Sequence, residues 1–252
     1  MTAPGLSSTQ GDTYRHWAKT PPAMRIYAIG DMHGRLDLVD KMHAQIRADA
    51  GDAEGMQVVV YLGDYVDRGP DSRGLVERLI SAPLPGFETV HLKGNHEDLI
   101  LEFLERGTRG AAWLLNGGDA TLRSYGVAAP SPYAEEEHPA VRQRLLAEMP
   151  ARHRAFFDAL QLSHRAGDYL FVHAGVRPAV PLDAQDPRDL VWIREAFLES
   201  DADFGACVVH GHTIGWAPVL KQNRIGLDTG AYRTGTLSCA VLEGDSVRIL
   251  QT

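Results

Sequence analysis

Three short polar motifs, each directly after an apolar run, restrict the fold of this chain more than any other feature of its sequence. The motifs lie about thirty residues apart and are GDMHG at residues 30–34, GDYVDRG at residues 63–69 and GNHE at residues 94–97. The apolar runs that precede them are residues 25–29, 57–62 and 88–92. Because these runs are short and rich in β-branched or aromatic residues, they predict strands.

Helical periodicity separates these predicted strands. Apolar residues at helical spacing predict helices over residues 36–50 and 75–80. Further strand runs follow at residues 168–172 and 206–209, and short alternating runs over residues 219–250 predict antiparallel hairpins. Since the order strand, helix, strand is typical of a parallel or mixed sheet with helical crossovers, the sequence predicts an α/β (α+β) fold.

A region without this alternation lies in the middle of the chain, at about residues 99–162. Helical stretches at residues 98–105 and 138–160 flank a segment rich in glycine and proline, and we interpret the region as a helical insertion. Residues 1–23 contain proline, glycine, serine and threonine without a continuous apolar stretch. We therefore expect a flexible N-terminal tail over residues 1–23 and a single domain over residues 24–252 that carries the insertion.

The charge and the apolar content of the chain exclude several classes of partner. Lys and Arg number 25 and Asp and Glu number 33, for a net charge of −8, so we expect no nucleic-acid partner. No apolar run reaches the length of about 18 residues that a membrane span needs. The first 23 residues contain no signal-peptide core, and Cys207 and Cys239 form no CxxC pair. We expect a cytoplasmic protein with free thiols and no membrane contact.

Polar side chains with metal-binding chemistry follow five of the predicted strands. They are Asp31, His33, Asp64, Asn95, His173 and His212. Taken singly, a Gly-Asp or Gly-Asn pair is a common turn former, and a lone histidine is more often structural. In open α/β sheets, however, ligands bind beyond the carboxyl ends of the strands, where several loops converge. The order of these residues along the chain therefore favours one shared site over five separate turns.

The motifs GDMHG, GDYVDRG and GNHE are similar to the signature motifs of the phosphoprotein phosphatase branch of the metallophosphoesterase (calcineurin-like) superfamily, nearest to bacterial and phage serine/threonine protein phosphatases. The similarity extends from about Met24 to the end of the chain and includes VHAG at residues 172–175 and GHT at residues 211–213. It implies a metallophosphoesterase-type mixed β-sandwich flanked by helices, with the metal site at the C-terminal ends of the strands. It also implies two divalent metal ions, with manganese expected first and Fe or Zn as alternatives, since all three suit carboxylate and imidazole ligands.

The resemblance also assigns the metal ligands. One metal would be bound by Asp31, His33 and Asp64, and the second by Asp64, Asn95, His173 and His212, so that Asp64 bridges the pair. His210 is an additional imidazole two residues before His212, which leaves the last ligand open between these two histidines. A hydroxide between the metals would attack phosphorus directly, without a covalent phosphoenzyme.

Four further residues receive catalytic roles. Arg68 offers a fork of donors that matches phosphate oxygens, and the resemblance makes Arg194 its partner. His96 follows a predicted ligand and is placed to protonate the leaving oxygen as general acid, while Asp67 would orient it and favour its imidazolium form.

The predicted activity is that of a metal-dependent phosphomonoesterase that acts on phosphoserine or phosphothreonine in proteins or peptides, with phosphotyrosine as a further option. The alternative is a symmetrical dinucleoside tetraphosphate hydrolase, but those enzymes usually carry alanine where Asp67 stands. A catalytically silent binding module is disfavoured by the presence of His96 and Arg68. For the insertion, we expect Trp113 to belong to its core, and Trp192 with part of the insertion to line the entrance. The oligomeric state is left open.

Overall fold

A computed structural model describes residues 13–52, 54–81 and 84–252 of the chain. Within these residues eleven strands form two sheets. The strands are β1 (Tyr14–Arg15), β2 (Met24–Ile29), β3 (Met56–Tyr61), β4 (Glu88–His91), β5 (Ser163–Ala166), β6 (Tyr169–Val172), β7 (Cys207–His210), β8 (Val219–Leu220), β9 (Arg224–Gly226), β10 (Ser238–Glu243) and β11 (Ser246–Gln251).

Both sheets are mixed. The first has the order β1-β11-β10-β2-β3-β4, in which β2, β3 and β4 are parallel and β10 runs antiparallel to β2. The second has the order β5-β6-β7-β9-β8, in which β6, β7 and β9 are parallel. Six parallel strands therefore contribute their carboxyl ends to the site described below.

Helices cover the outer faces of the sheets. They are α1 (Leu36–Ala50), α2 (Ser72–Ile80), α3 (Asn95–Arg106), α4 (Gly110–Trp113), α5 (Asp119–Ser124), α6 (His138–Glu148), α7 (Ala151–Asp158), α8 (Pro187–Trp192), α9 (Glu195–Leu198) and α10 (Ala231–Thr234). A short π-helical turn, Leu114–Gly118, joins α4 to α5. No helix in the described part of the chain is long and apolar enough to cross a membrane.

Alternate residues of the central strands pack into different layers. On β2, Ile26 and Ala28 pack between the two sheets, whereas Tyr27 and Ile29 pack against the helices. A strand that is buried on both faces reads as a continuous apolar run, which explains the pattern before each motif. On the far side, α8 and α9 cover the second sheet around Phe197. The layers are thus helices, sheet, sheet and helices, as the predicted mixed β-sandwich requires.

The expected flexible tail over residues 1–23 differs from the structure at residues 14–18, which contact the sheets. Tyr14 and Arg15 pair with the edge strand β11, and the backbone N–H of His16 donates to Asp245 at 2.8 Å. Ala18 is fully buried between the sheets. The segment is ordered because it satisfies the free edge of β11 and fills the end of the core, neither of which its polar composition indicates. Residues 1–12 lie outside the described residues.

The helical region also differs in detail from its prediction. The single helix predicted over residues 138–160 is two helices, because Pro150 forces Met149 into an extended conformation between α6 and α7. The helices α3 to α7 follow one another along the sequence between β4 and β5. The predicted C-terminal hairpins agree with the antiparallel pairs β8–β9 and β10–β11.

Candidate active site

The site lies where six parallel strands end. The loops after β2, β3, β4, β6 and β7 place Asp31, His33, Asp64, Asn95, His173 and His212 together, all buried. The loop after β9 adds a carboxylate that sequence analysis missed, Asp228, which is also buried. The strand before Asp228, β9, has only three residues and resembles one arm of a hairpin in the sequence. No local pattern therefore predicts that β9 pairs in parallel with β7.

Asp64 lies at the centre of this cluster, and its two oxygens face different imidazoles. Oδ1 is 3.4 Å from Nε2 of His173, and Oδ2 is 3.4 Å from Nε2 of His33. Ligand atoms of Asp31, Asp64 and His173 lie within 4.8 Å of one another, as do those of His33, Asp64 and His96. The arrangement suits a carboxylate shared by two cations.

His173, Asn95 and His212 form one half of the site. His173 Nδ1 donates to the carbonyl oxygen of Leu62 at 2.8 Å, which leaves a lone pair on Nε2. This Nε2 atom is 2.9 Å from Asn95 Oδ1, and the same oxygen is 2.9 Å from His212 Nδ1. His173 Nε2 and Asn95 Oδ1 both present lone pairs, so a cation between them would relieve their repulsion, and imidazole nitrogen with amide oxygen suits a divalent ion.

The other half of the site contains His33 and Asp31. His33 Nδ1 donates to the carbonyl oxygen of Val66 at 2.8 Å, so Nε2 carries the lone pair of the neutral ring and faces both Asp64 and the guanidinium of Arg68. The Asp31 carboxylate accepts the backbone N–H of His212 at 3.0 Å, which ties this half to the other. Oxygen and imidazole donors without a thiolate suit Mn, Fe or Zn.

Burial and charge set the protonation of these ligands. Burial holds the pKa of His33 well below its ordinary value and also lowers the pKa of His173, so both rings are neutral near pH 7 and available to a metal. Burial, with the charges of Asp228 and Asp64, raises the pKa of Asp31 well above normal. Burial acts in the same direction on Asp64, but the surrounding imidazoles, His173 first, lower its pKa overall. A bound cation would favour ionised carboxylates throughout.

His96 and Asp67 form a buried pair beside the ligands. His96 Nδ1 is 2.7 Å from Asp67 Oδ2, and both side chains are fully buried. Burial acts to lower the pKa of His96, but the charge of Asp64 and the bond with Asp67 raise it above its ordinary value. The structure therefore places these two residues in contact, and the raised pKa favours the imidazolium form of His96.

The two predicted arginines lie near different side chains of the site. Arg68 Nη1 is 2.9 Å from His33 Nε2, and its guanidinium lies over the ring of Tyr232 at 5.0 Å. Arg194 is exposed and donates to Thr213 at 3.5 Å, one residue beyond His212. Sequence analysis missed Tyr232, which lies on α10 and follows no strand-end motif.

Glu97 completes the third motif in a role that its sequence did not reveal. Its fully buried carboxylate accepts backbone N–H groups of Asp64, Tyr65, Val66 and Gly94 at 2.8–3.3 Å. Burial raises the pKa of Glu97 to about 8, although the backbone donors oppose the shift. A Cβ on Gly94 would lie 2.2 Å from Asp64 Oδ1. Glutamate and glycine therefore hold the second and third motifs in contact.

His210 lies apart from the ligands. Its ring packs edge-on against Phe197 at 5.0 Å, and Nδ1 is 3.0 Å from the carbonyl oxygen of Gly211. Burial lowers its pKa to about 4. The structure thus places His212, and not His210, beside Asn95.

Strained backbone is concentrated at the site. Five of its residues other than glycine have positive φ angles, and they are His33, Asp64, Asp67, Arg68 and His212. Such conformations cost about 1–3 kcal/mol each and persist where surrounding contacts enforce them. The strain turns each side chain inward as its strand ends.

The mixed β-sandwich, the shared carboxylate and the nearby arginines define a metal-dependent phosphoesterase. The chain belongs to the calcineurin-like phosphoesterase family, whose sequence model matches residues 24–236. This match extends across both sheets and includes each strand-end motif.

Individual relatives fall into two groups by name. The chain is 31% identical over 234 residues to serine/threonine-protein phosphatase 1 of Salmonella typhimurium, covering 86% of this chain and 92% of that protein. It is 32% identical over 155 residues to a symmetrical bis(5'-nucleosyl)-tetraphosphatase of Acidovorax sp., covering 62% of this chain and 45% of that protein. A solved structure described as a putative diadenosine tetraphosphatase has a TM-score of 0.62 at 20% identity, covering 93% of this chain and 98% of its own, and shows the shared fold.

Proposed function

We propose that this chain is a metal-dependent phosphomonoesterase that hydrolyses phosphoserine and phosphothreonine in proteins. The observation that carries the proposal is the buried pair of His96 and Asp67, 2.7 Å apart, with His96 Nε2 only 3.9 Å from Asp64. A serine or threonine alkoxide is a strongly basic leaving group, so its departure needs a proton donor. Cleavage of an anhydride releases a less basic oxygen and depends less on such a donor.

The protein side chains would divide the remaining work. Arg68 and Arg194 would bind the phosphoryl oxygens through their guanidinium forks. His96 Nε2 is buried without a hydrogen-bond partner, so its proton is available to the leaving oxygen. Asp67 keeps the ring oriented and charged through Nδ1.

The ligands would hold two divalent ions, and manganese is our proposal for both. Asp31 and His33 would hold one, Asn95, His173 and His212 the other, and Asp64 would contact both. Two bound ions would supply an acidified water as nucleophile and would neutralise charge on the phosphoryl group.

A cleft that borders Trp192, but none of the proposed metal ligands, would suit a substrate that extends beyond a free phosphate ester. It has a volume of about 810 Å³ and is lined by Trp192 and Arg109, among others. Trp192 packs edge-on to His212 at 6.4 Å, and Arg109 of the insertion lies over its ring at 5.3 Å. This supports the expectation that Trp192 and part of the insertion line the entrance.

A second candidate is hydrolysis of a symmetrical dinucleoside tetraphosphate. The identity of 32% to the Acidovorax tetraphosphatase favours it, although that match covers less than half of the relative. The phosphatase named above matches over 92% of its length, and this difference supports our first choice.

The proposal is tested by metal content together with hydrolysis of p-nitrophenyl phosphate. We expect protein loaded with manganese to hold two equivalents and to turn over. Asp64→Asn should lose bound metal and lower kcat by about a thousandfold or more, because it weakens both sites. Asp201→Asn is the matched control, since Asp201 is 90% exposed, lies beside Lys221 and is not one of the proposed metal ligands. Wild-type protein that binds two equivalents without turnover would show a silent module instead.

A further inference from the structure

Asp67 is fixed by more contacts than its partnership with His96 requires. Its Oδ1 accepts the hydroxyl of Thr121 at 2.6 Å, and the indole N–H of Trp113 lies 3.0 Å from both of its oxygens. Its backbone N–H donates to Thr121 Oγ1 at 2.9 Å and to Ser72 Oγ at 3.1 Å. All of these side chains are fully buried.

The side-chain donors come from the helical insertion. Trp113 ends α4 and Thr121 lies on α5, 46 and 54 residues beyond Asp67. The insertion therefore contacts Asp67, a proposed catalytic residue, as well as the entrance of the site. Trp113 also packs against Phe103 at 5.1 Å, as its expected place in the core of the insertion requires.

These contacts have a directional consequence. The carboxylate of an aspartate turns about two side-chain bonds and could rotate away from a histidine. Thr121 binds one oxygen, and the indole bridges both, so Asp67 Oδ2 stays aimed at His96 Nδ1. Asp67 has a φ of +72°, a conformation that the double contact of Thr121 with its N–H and its carboxylate helps to maintain.

We propose that Thr121 and Trp113 are positioning residues that hold Asp67, and through it His96, in line with the leaving oxygen. The inference rests on the proposed function, in which His96 is the proton donor. It assigns to the insertion a share in the chemical step that is separate from substrate selection.

The test compares two leaving groups on the manganese-loaded protein. Departure of p-nitrophenolate needs little protonation, whereas departure of phenolate from phenyl phosphate needs more. Thr121→Val keeps the shape of the side chain and removes its hydroxyl, and Trp113→Phe keeps an aromatic core and removes the N–H. We expect each variant to lower kcat for phenyl phosphate by about tenfold or more and kcat for p-nitrophenyl phosphate by less than about threefold, with KM little changed.

Two further variants separate positioning from general stability. Thr121→Ser should restore kcat for phenyl phosphate to within about twofold, because it restores the hydroxyl. Tyr125→Phe is the matched control: it removes a buried 2.7 Å hydrogen bond to His153 beside α5 and does not contact Asp67. It should leave the ratio of the two rates unchanged.

The results of this experiment distinguish failure of the positioning role from failure of the proposed function. Equal losses on both substrates, or no loss, would overturn the positioning role while the phosphatase activity stands. If wild-type protein hydrolyses neither ester, the proposed function fails first. Thermal unfolding of each variant shows whether a loss reflects folding, and Trp113→Phe decides the case if Thr121→Val unfolds.

Discussion

A methyl group added at Gly117 should displace the arginine that is predicted to bind phosphate. Gly117 lies in the π-helical turn with a φ of +99°, and its carbonyl oxygen accepts the backbone N–H of Arg68 at 3.1 Å. A Cβ there would lie 2.8 Å from Arg68 Cγ and 2.9 Å from its backbone nitrogen. An ordinary contact needs about 3.4 Å or more, so Arg68 must move by roughly half an ångström or the turn must open.

The expected effects of Gly117→Ala are a loss of stability and a larger loss of activity. The left-handed conformation costs an alanine about 1–2 kcal/mol, which corresponds to a fall in Tm of about 2–8 °C for a chain of this size. Since a misplacement of about 1 Å can cost a hundredfold in rate, half of that should lower kcat/KM by about tenfold. The assay is steady-state hydrolysis of p-nitrophenyl phosphate together with inhibition by inorganic phosphate, which should weaken in parallel.

Gly126→Ala is the matched control for this prediction. Gly126 has a φ of +78° and a Cβ there would meet nothing within 4 Å. The control should therefore lose a similar amount of stability and keep its kcat/KM. If Gly117→Ala behaved like Gly126→Ala in both measurements, the argument that the insertion fixes Arg68 would be refuted.

Two other predictions concern buried groups that sequence analysis left open. His210→Phe should keep both metal equivalents and lose about 1 kcal/mol of stability, whereas His212→Phe should lose one equivalent by elemental analysis; the reverse result would exchange their roles. Burial raises the pKa of Cys207 to about 12 and that of Cys239 further, so almost no thiolate forms at pH 8. A disulfide reagent should titrate both thiols in denaturant and fewer than about 0.1 equivalents in native protein, and rapid reaction of the native thiols would contradict this burial.

The clustering of the strand-end side chains could be predicted because its signals are local. Each of Asp31, Asp64 and Asn95 follows an apolar strand directly, and parallel strands deliver their carboxyl ends to one edge. The side chains also have the chemistry of metal ligands. Local sequence patterns were therefore enough to predict which strand-end side chains lie together.

What sequence reasoning missed depends on contacts between distant segments. Trp113 and Thr121 reach Asp67 across 46 and 54 residues, and no periodicity relates them. Asp228 follows a three-residue strand whose parallel pairing with β7 is invisible beside its hairpin with β8. In the same way, the N-terminal segment contacts the free edge of β11 and the core between the sheets, which are distant from it in sequence. Such pairings are set by the assembled sheets and not by local propensity.

The central claim is that this site cleaves phosphomonoesters of proteins in preference to dinucleoside polyphosphates. A direct measurement compares kcat/KM of the manganese-loaded protein for a phosphothreonine peptide and for diadenosine tetraphosphate in the same buffer, with p-nitrophenyl phosphate as a control for active protein. The pair of His96 and Asp67 predicts that the phosphopeptide is preferred by about tenfold or more. A preference of about a hundredfold for the dinucleotide would contradict the claim and assign the same site to anhydride cleavage.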